Sequence, residues 1–305
     1  SAKTKDGEHR LNFDFNISKT EIAKIFDKNI DIAENEILYS RKIGAKQNKK
    51  IWLNPNGKYY ALLIGNSKYD DEGWNNLVSP VNDIRAIKKV LDKTYKFEEI
   101  IMVPDGTKKQ IYEAFKKLSK LSTTNDYVLV YYSGHGQIKA EQAYWIPTDG
   151  SAKWGNGDWI NISELDIYLT EIKAHHLAVM VDSCFVGSKF KGLNILDNLT
   201  EEDSKLFGES LRQALNLRSR SVLSSGSTGQ VSDTVAGTNH SMFALSFIDL
   251  LKQFNEQSYP VNLRSIAINI EYAMSGSLQK PFMYSPPTWQ HGGGDFIFIP
   301  KKNYK

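Results

Sequence analysis

Apolar residues in this chain fall into short continuous runs, separated by stretches in which they recur every three or four positions. The runs "YYALLIG" (59–65), "EEIIMVPD" (98–105), "YVLVYY" (127–132) and "HLAVMVDSC" (176–184) are rich in β-branched and aromatic residues, as strands inside a sheet are. Between them, "PVNDIRAIKKVLDKTY" (80–95), "KKQIYEAFKKLSKL" (108–121) and a segment near 163–172 carry the spacing of amphipathic helices. "QAYWIPTD" (142–149) adds a further apolar segment. "RSVLSSGS" (220–227) follows, then helices over 241–254 and near 262–274, and a final strand "DFIFIP" (295–300). Strands alternating with helices predict an α/β fold of three layers, α/β/α, with a mostly parallel central sheet covered on both faces. In such sheets ligands bind beyond the carboxyl ends of the strands.

The first 57 residues break this pattern. "SKTEIAKIFDKNIDIAENEILYSRK" opens with a capping-box pair, Ser18 and Glu21. Ile22, Phe26, Ile30, Ala33 and Ile37 then make one apolar stripe. A lone amphipathic helix must bury that stripe against the main domain or a partner. Polar turn signals over 46–57 place a boundary near Lys58. The expected organisation is a helical extension over 1–57, acting as a prodomain or a tether to a sensor protein, and one domain over 58–305.

Charge narrows the partners. The net charge is +3, and residues 1–57 hold 11 basic and 8 acidic side chains, so the remainder of the chain is balanced. No basic face remains for nucleic acid. Cys184 is the single cysteine, which excludes an intrachain disulfide and a cysteine-rich zinc site. No apolar run is long enough to span a bilayer and "SAKTKDGEHR" lacks a signal-peptide core, so a reducing cytoplasm is the expected compartment and no membrane is expected. The sequons at Asn16, Asn161, Asn198 and Asn239 then read as chance matches.

Two strand ends carry candidate chemistry. "YYSGHGQ" delivers His135 onto a turn between two glycines, and "DSCFVGS" delivers Cys184, 49 residues later. These motifs resemble the histidine and cysteine motifs of the caspase and metacaspase group of cysteine endopeptidases, in the compact form found in bacteria. The interval is close to that of the caspase signature. "LVSPVNDIRAIKKVL", "HSMFALSFIDLL", "LQKPFMY" and "GGGDFIFIP" are similar to further segments of that group, so the likeness runs from about Tyr59 to Pro300. It implies a large-subunit-like part over 58–200, an intersubunit loop over 201–219 and a small-subunit-like part over 220–305.

The resemblance implies Cys184 as nucleophile, His135 as general acid and base, and the backbone N–H groups of Gly136 and Cys184 as oxyanion donors. Asp83, Asp182 and Ser133 match pocket residues of metacaspase-like members, and two carboxylates there imply cleavage after arginine or lysine. Gln230 to Asp233 align with the strand along which substrates lie extended. Lys189, Lys191, Lys205, Arg212 and Arg218 offer sites for self-cleavage between the subunit-like parts. Pro80 and Phe185-Val186 depart from the metacaspase pattern. No cofactor is required by this chemistry. Calcium serves some relatives, and Asp149 and Asp166 stand roughly where some of its ligands occur, without a compact carboxylate cluster. Three alternatives stay open: cleavage after aspartate, a cysteine–histidine hydrolase of another kind, and a silent interaction module. His175 and His176 read as surface or sheet-edge residues, His240 as the start of a helix, and His291 as a loop residue beside three glycines.

Overall fold

The computed structural model describes residues 57–153, 155, 157–183, 214–226, 234–277 and 279–304. The N-terminal helix expected over 18–37, Cys184, most of the 185–219 stretch and Gln230 to Asp233 lie outside the described residues.

The elements, in chain order, begin with β1 (Tyr59–Gly65), α1 (Ser79–Thr94), β2 (Phe97–Pro104), α2 (Lys108–Leu121) and β3 (Tyr127–Ser133). The short strands β4 (Gly136–Lys139), β5 (Gln142–Trp145) and β6 (Ile160–Asn161) form a separate antiparallel sheet. Next come α3 (Ile162–Glu171), β7 (His176–Asp182), β8 (Ser219–Ser224), α4 (Met242–Gln257), β9 (Val261–Asn262), α5 (Leu263–Ala273), β10 (Phe282–Tyr284) and β11 (Ile297–Phe298). The main sheet has the order β10-β8-β7-β3-β1-β2, all parallel except β10.

Alternate residues of the central strands feed two cores, as the two-residue period of a strand requires. On one face Ala61, Leu63, Leu129, Tyr131, Ala178 and Met180 pack against α1, α4 and α5. On the other, Leu62, Ile64, Val128, Val130, Val179 and Val181 pack against α2 and α3. β1, β3 and β7 are buried at every position, which is why they read in the sequence as unbroken apolar runs. Each fully buried aliphatic side chain contributes roughly 1.5–3 kcal/mol, so these layers supply the main stabilisation.

The helices start where their side chains dictate. Thr107 and Gln110 form a reciprocal capping box at α2, and Ser241 caps α4 by accepting from the Ala244 N–H at 3.0 Å. Pro80 opens α1, at a place where a missing N–H costs nothing. A Cβ on Gly65 would lie 2.5 Å from the Pro80 carbonyl oxygen. The glycine therefore lets the start of α1, which carries Asp83, close on the carboxyl end of β1.

Two expectations are corrected. The run 295–300 is not one strand, because only Ile297 and Phe298 are strand, and they pair with Val261 and Asn262 in a two-stranded sheet. His176 is no surface residue. It is fully buried at the start of β7, stacked on Tyr127 at 4.4 Å, with ring nitrogens 2.9 Å from the Asp295 carbonyl and 3.0 Å from the Leu215 carbonyl.

Candidate active site

The register of the main sheet aligns Gly65, Ser133 and Asp182 across the carboxyl ends of β1, β3 and β7. Asn66, fully buried, ties these ends together. Its N–H donates to the Ser133 carbonyl at 3.0 Å, its Nδ2 donates to the Ile146 carbonyl at 3.1 Å, and its Oδ1 accepts from the Gly106 N–H at 2.9 Å.

Beyond β3 the chain turns through Gly134, whose φ is +155°. A Cβ there would stand 3.0 Å from the hydroxyls of both Tyr132 and Tyr69. Those same hydroxyls fix the backbone of His135. The His135 N–H donates to Tyr69 Oη at 2.8 Å, and Tyr132 Oη donates to the His135 carbonyl at 2.7 Å. The Ile146 N–H reaches the same carbonyl at 3.0 Å. Tyr132 is itself stacked on Trp145 at 4.0 Å. Gly136, buried, opens β4 opposite Trp145.

The His135 ring is held as firmly. Nε2 lies 2.7 Å from the Asn75 carbonyl oxygen. A carbonyl only accepts, so Nε2 carries the hydrogen and Nδ1 is the basic nitrogen of the neutral ring. Tyr69 and Trp74 flank the imidazole at centroid distances of 4.7 and 5.3 Å, and lie 6.4 Å from each other. Two rings sandwiching the imidazole would stand much farther apart, so they lie on adjacent sides of it. The loop bearing Trp74 and Asn75 is anchored in turn. Trp74 Nε1 donates to the Gly150 carbonyl at 3.0 Å, and Asp71 accepts from the N–H groups of Gly73 at 2.8 Å and Ala152 at 2.9 Å. These backbone bonds hold the Asp71 carboxyl below its ordinary range.

Asp83 and Asp182 are joined through residues that sequence reasoning had not connected to them. Asp83 on α1 is fully buried, and its Oδ1 lies 2.7 Å from His240 Nδ1. The Ser241 N–H donates to its Oδ2 at 3.4 Å. Ser241 Oγ donates to Asp182 Oδ2, which also accepts from Tyr131 Oη at 3.4 Å. Burial pushes the Asp83 carboxyl up to about 7, against the lowering effect of the His240 bond, and neighbouring Asp182 adds to the rise. The positive end of α4, which starts just after Ser241, favours both carboxylates. Gly134 connects the two halves of the site, its N–H reaching the Asp182 carbonyl at 3.4 Å.

A profile of the caspase domain matches residues 58–289. The chain belongs to the caspase family. Its caspase domain is similar in fold to protein GSU0716 from Geobacter sulfurreducens, with a TM-score of 0.52 and 17% identity over 79% of this chain and 99% of that one. It is likewise similar to caspase-1 from Spodoptera frugiperda, with a TM-score of 0.52 and 16% identity over 79% of this chain and 91% of that one. No curated protein matches it. A caspase domain supports cysteine-peptidase chemistry in general.

Within this caspase domain the remaining expected residues take other places. Asp149 accepts from the Lys108 N–H at 2.8 Å, and Asp166 binds the Trp289 indole. Among the described residues no group of three or more His, Cys, Asp or Glu side chains is arranged to hold a metal ion. His291 stands away from this edge, accepting from the Arg220 N–H at 3.0 Å near the start of β8. No helix among the described residues is long and apolar enough to cross a membrane.

Trp74, Asn75 and Tyr69 were the hardest to foresee, since "YDDEGWNN" reads as a polar loop. Its one signal was a tryptophan among turn residues. With His135 as the acid and base that the resemblance implies, Trp74→Ala is expected to lower kcat about 10- to 100-fold with a smaller change in KM, because an unsupported imidazole samples unproductive positions. Trp74→Phe, which keeps a ring beside His135, should restore most of the rate. Steady-state kinetics on one peptide substrate checks both variants.

Proposed function

We propose that this caspase domain is a cysteine endopeptidase with Cys184 as nucleophile and His135 as acid and base, cutting after arginine or lysine. The observation that carries the reading is the pairing of Ser133 with Asp182 on neighbouring parallel strands. His135 stands two residues beyond the first and Cys184 two residues beyond the second, so adjacent strands feed equal lengths of chain to the same edge. The His135 tautomer adds support, since it makes Nδ1 the basic nitrogen that would take the thiol proton.

In this reading the Cys184 sulfur, with its proton on His135, attacks the scissile carbonyl. The backbone N–H groups of Gly136 and Cys184 receive the developing oxyanion. The C–N bond breaks as the His135 imidazolium gives its proton to the leaving amine. Water then hydrolyses the thioester, with His135 taking its proton and returning it to sulfur. Asp182, only 8% exposed, supplies negative charge beside Ser133 for a guanidinium or ammonium group. The 1–57 extension is assigned to a regulatory or sensor partner, and the basic residues over 185–219 to self-processing.

The test is hydrolysis of a peptide library varied at the residue before the cut, with and without calcium, beside Cys184→Ala. Cleavage after arginine or lysine, lost in the variant, is the expected result. Cleavage after aspartate would retain the protease and remove the basic pocket. Peptide turnover that survives in Cys184→Ala would remove the nucleophile.

A further inference from the structure

His240 and Ser241 are consecutive residues, yet each takes one of two carboxylates contributed by distant parts of the chain. His240 Nδ1 meets Asp83 on α1, 157 residues away in sequence. Ser241 Oγ meets Asp182 at the end of β7, 59 residues away. Asp83 is fully enclosed, whereas the His240 side chain keeps 27% of its surface in contact with solvent. A group approaching Asp83 from that exposed side therefore meets the imidazole before the carboxylate.

We propose that His240 is a specificity-determining residue of this site, holding Asp83 as an internal cation that a basic substrate side chain must displace together with its proton. The inference rests on the peptidase reading above and goes beyond it, because it assigns the pocket its own competitor for the substrate charge.

The electrostatics follow from the groups that face Asp83. These are His240 from the segment before α4, Asp182 from β7 and Tyr131 from β3, with the Ser241 N–H beside them. Burial holds the Tyr131 phenol neutral, well above its ordinary range. Burial pushes the Asp83 carboxyl up to about 7 although the His240 bond lowers it, so near neutral pH a proton is held where Asp83 meets His240. A guanidinium and an imidazolium cannot both occupy one enclosed carboxylate without mutual repulsion. Entry of the substrate cation therefore releases one proton to solvent. Affinity for a basic side chain accordingly rises with pH through about 7, by at most about tenfold per pH unit, and levels off above. A neutral side chain at the same position shows no such rise.

The first arm of the experiment measures KM for an arginine-containing peptide from about pH 6 to about pH 9. In wild type KM falls with rising pH. In His240→Asn, which keeps a donor for Asp83 and never charges, the group that lowers the Asp83 carboxyl is gone, so the fall moves to higher pH. A fall in His240→Asn over the same pH range as in wild type would overturn the proposal.

The second arm leaves the pocket intact, so a folding defect in His240→Asn does not affect it. In the Cys184→Ala chain the His240 ring is titrated by NMR, alone and with the arginine peptide or its alanine counterpart. The arginine peptide is expected to move the His240 titration to lower pH and the alanine peptide to leave it in place. An unmoved titration at saturating arginine peptide would overturn the proposal. If wild type cleaves no peptide at any pH, the peptidase reading fails by itself, and this titration still decides whether a basic side chain displaces the proton.

Discussion

His135→Ala is expected to lower kcat/KM for peptide hydrolysis by at least about 10³-fold, and Cys184→Ala by at least about 10⁵-fold. The two values differ because a thiol is partly ionised near neutral pH without help, whereas no other group replaces sulfur as the attacking atom. The histidine change should leave the fold intact. The His135 ring is only partly buried, and the bonds that set this turn use its backbone, through Tyr69, Tyr132 and Ile146. Loss of rate without loss of stability is therefore the expected pair of observations, from kinetics and from thermal melting. His135→Ala activity within about tenfold of wild type would remove the imidazole from the reaction. A large drop in melting temperature would show that the ring serves the fold instead.

Arg220→Met is expected to destabilise the protein by about 3 kcal/mol or more, well beyond the cost of an ordinary surface substitution. Arg220 is 1% exposed on β8. Its Nη1 donates to the Leu169 carbonyl at 3.0 Å, and its Nη2 donates to the carbonyls of Ile172 and, at 3.2 Å, Ala174. Burial pushes its pKa down to about 10, so the guanidinium remains charged at neutral pH. It therefore satisfies the end of α3 and the segment that leads into β7. Methionine fills the space but leaves three buried acceptors unpaired, each costing about 1–3 kcal/mol before local rearrangement. Arg220→Lys should recover only part of the loss, because one ammonium cannot reproduce the planar fork. Urea unfolding monitored by fluorescence gives the midpoint shift. A loss under about 1 kcal/mol for Arg220→Met would mean that water replaces the guanidinium at those carbonyls.

The main strands were legible because burial on both faces writes itself into the sequence as a continuous apolar run, and β1, β3 and β7 have that burial throughout. The same rule made the strand at 295–300 too long, since an apolar run reports burial and says nothing of how much of it pairs. Phe296 and Ile299 are buried as expected, but the hydrogen bonds of Ile297 and Phe298 go to β9. His176 was misread for a related reason. Its polarity suggested the surface, whereas a ring stacked on Tyr127 and bonded to main-chain carbonyls is at home in a core.

Sequence alone determined the order of strands and helices, the two motifs that end β3 and the 176–184 run, and the acids Asp83 and Asp182. The elements are local patterns set by periodicity, and the motifs and the two acids were readable through their resemblance to those of the caspase and metacaspase group. Tertiary structure decided which groups meet. Only the sheet register aligns Ser133 with Asp182, only the loop from β1 to α1 sets the Asn75 carbonyl on His135, and only the start of α4 lays His240 on Asp83. These contacts join residues dozens to more than a hundred positions apart. They depend on how layers pack, a property of the whole chain that no short stretch encodes.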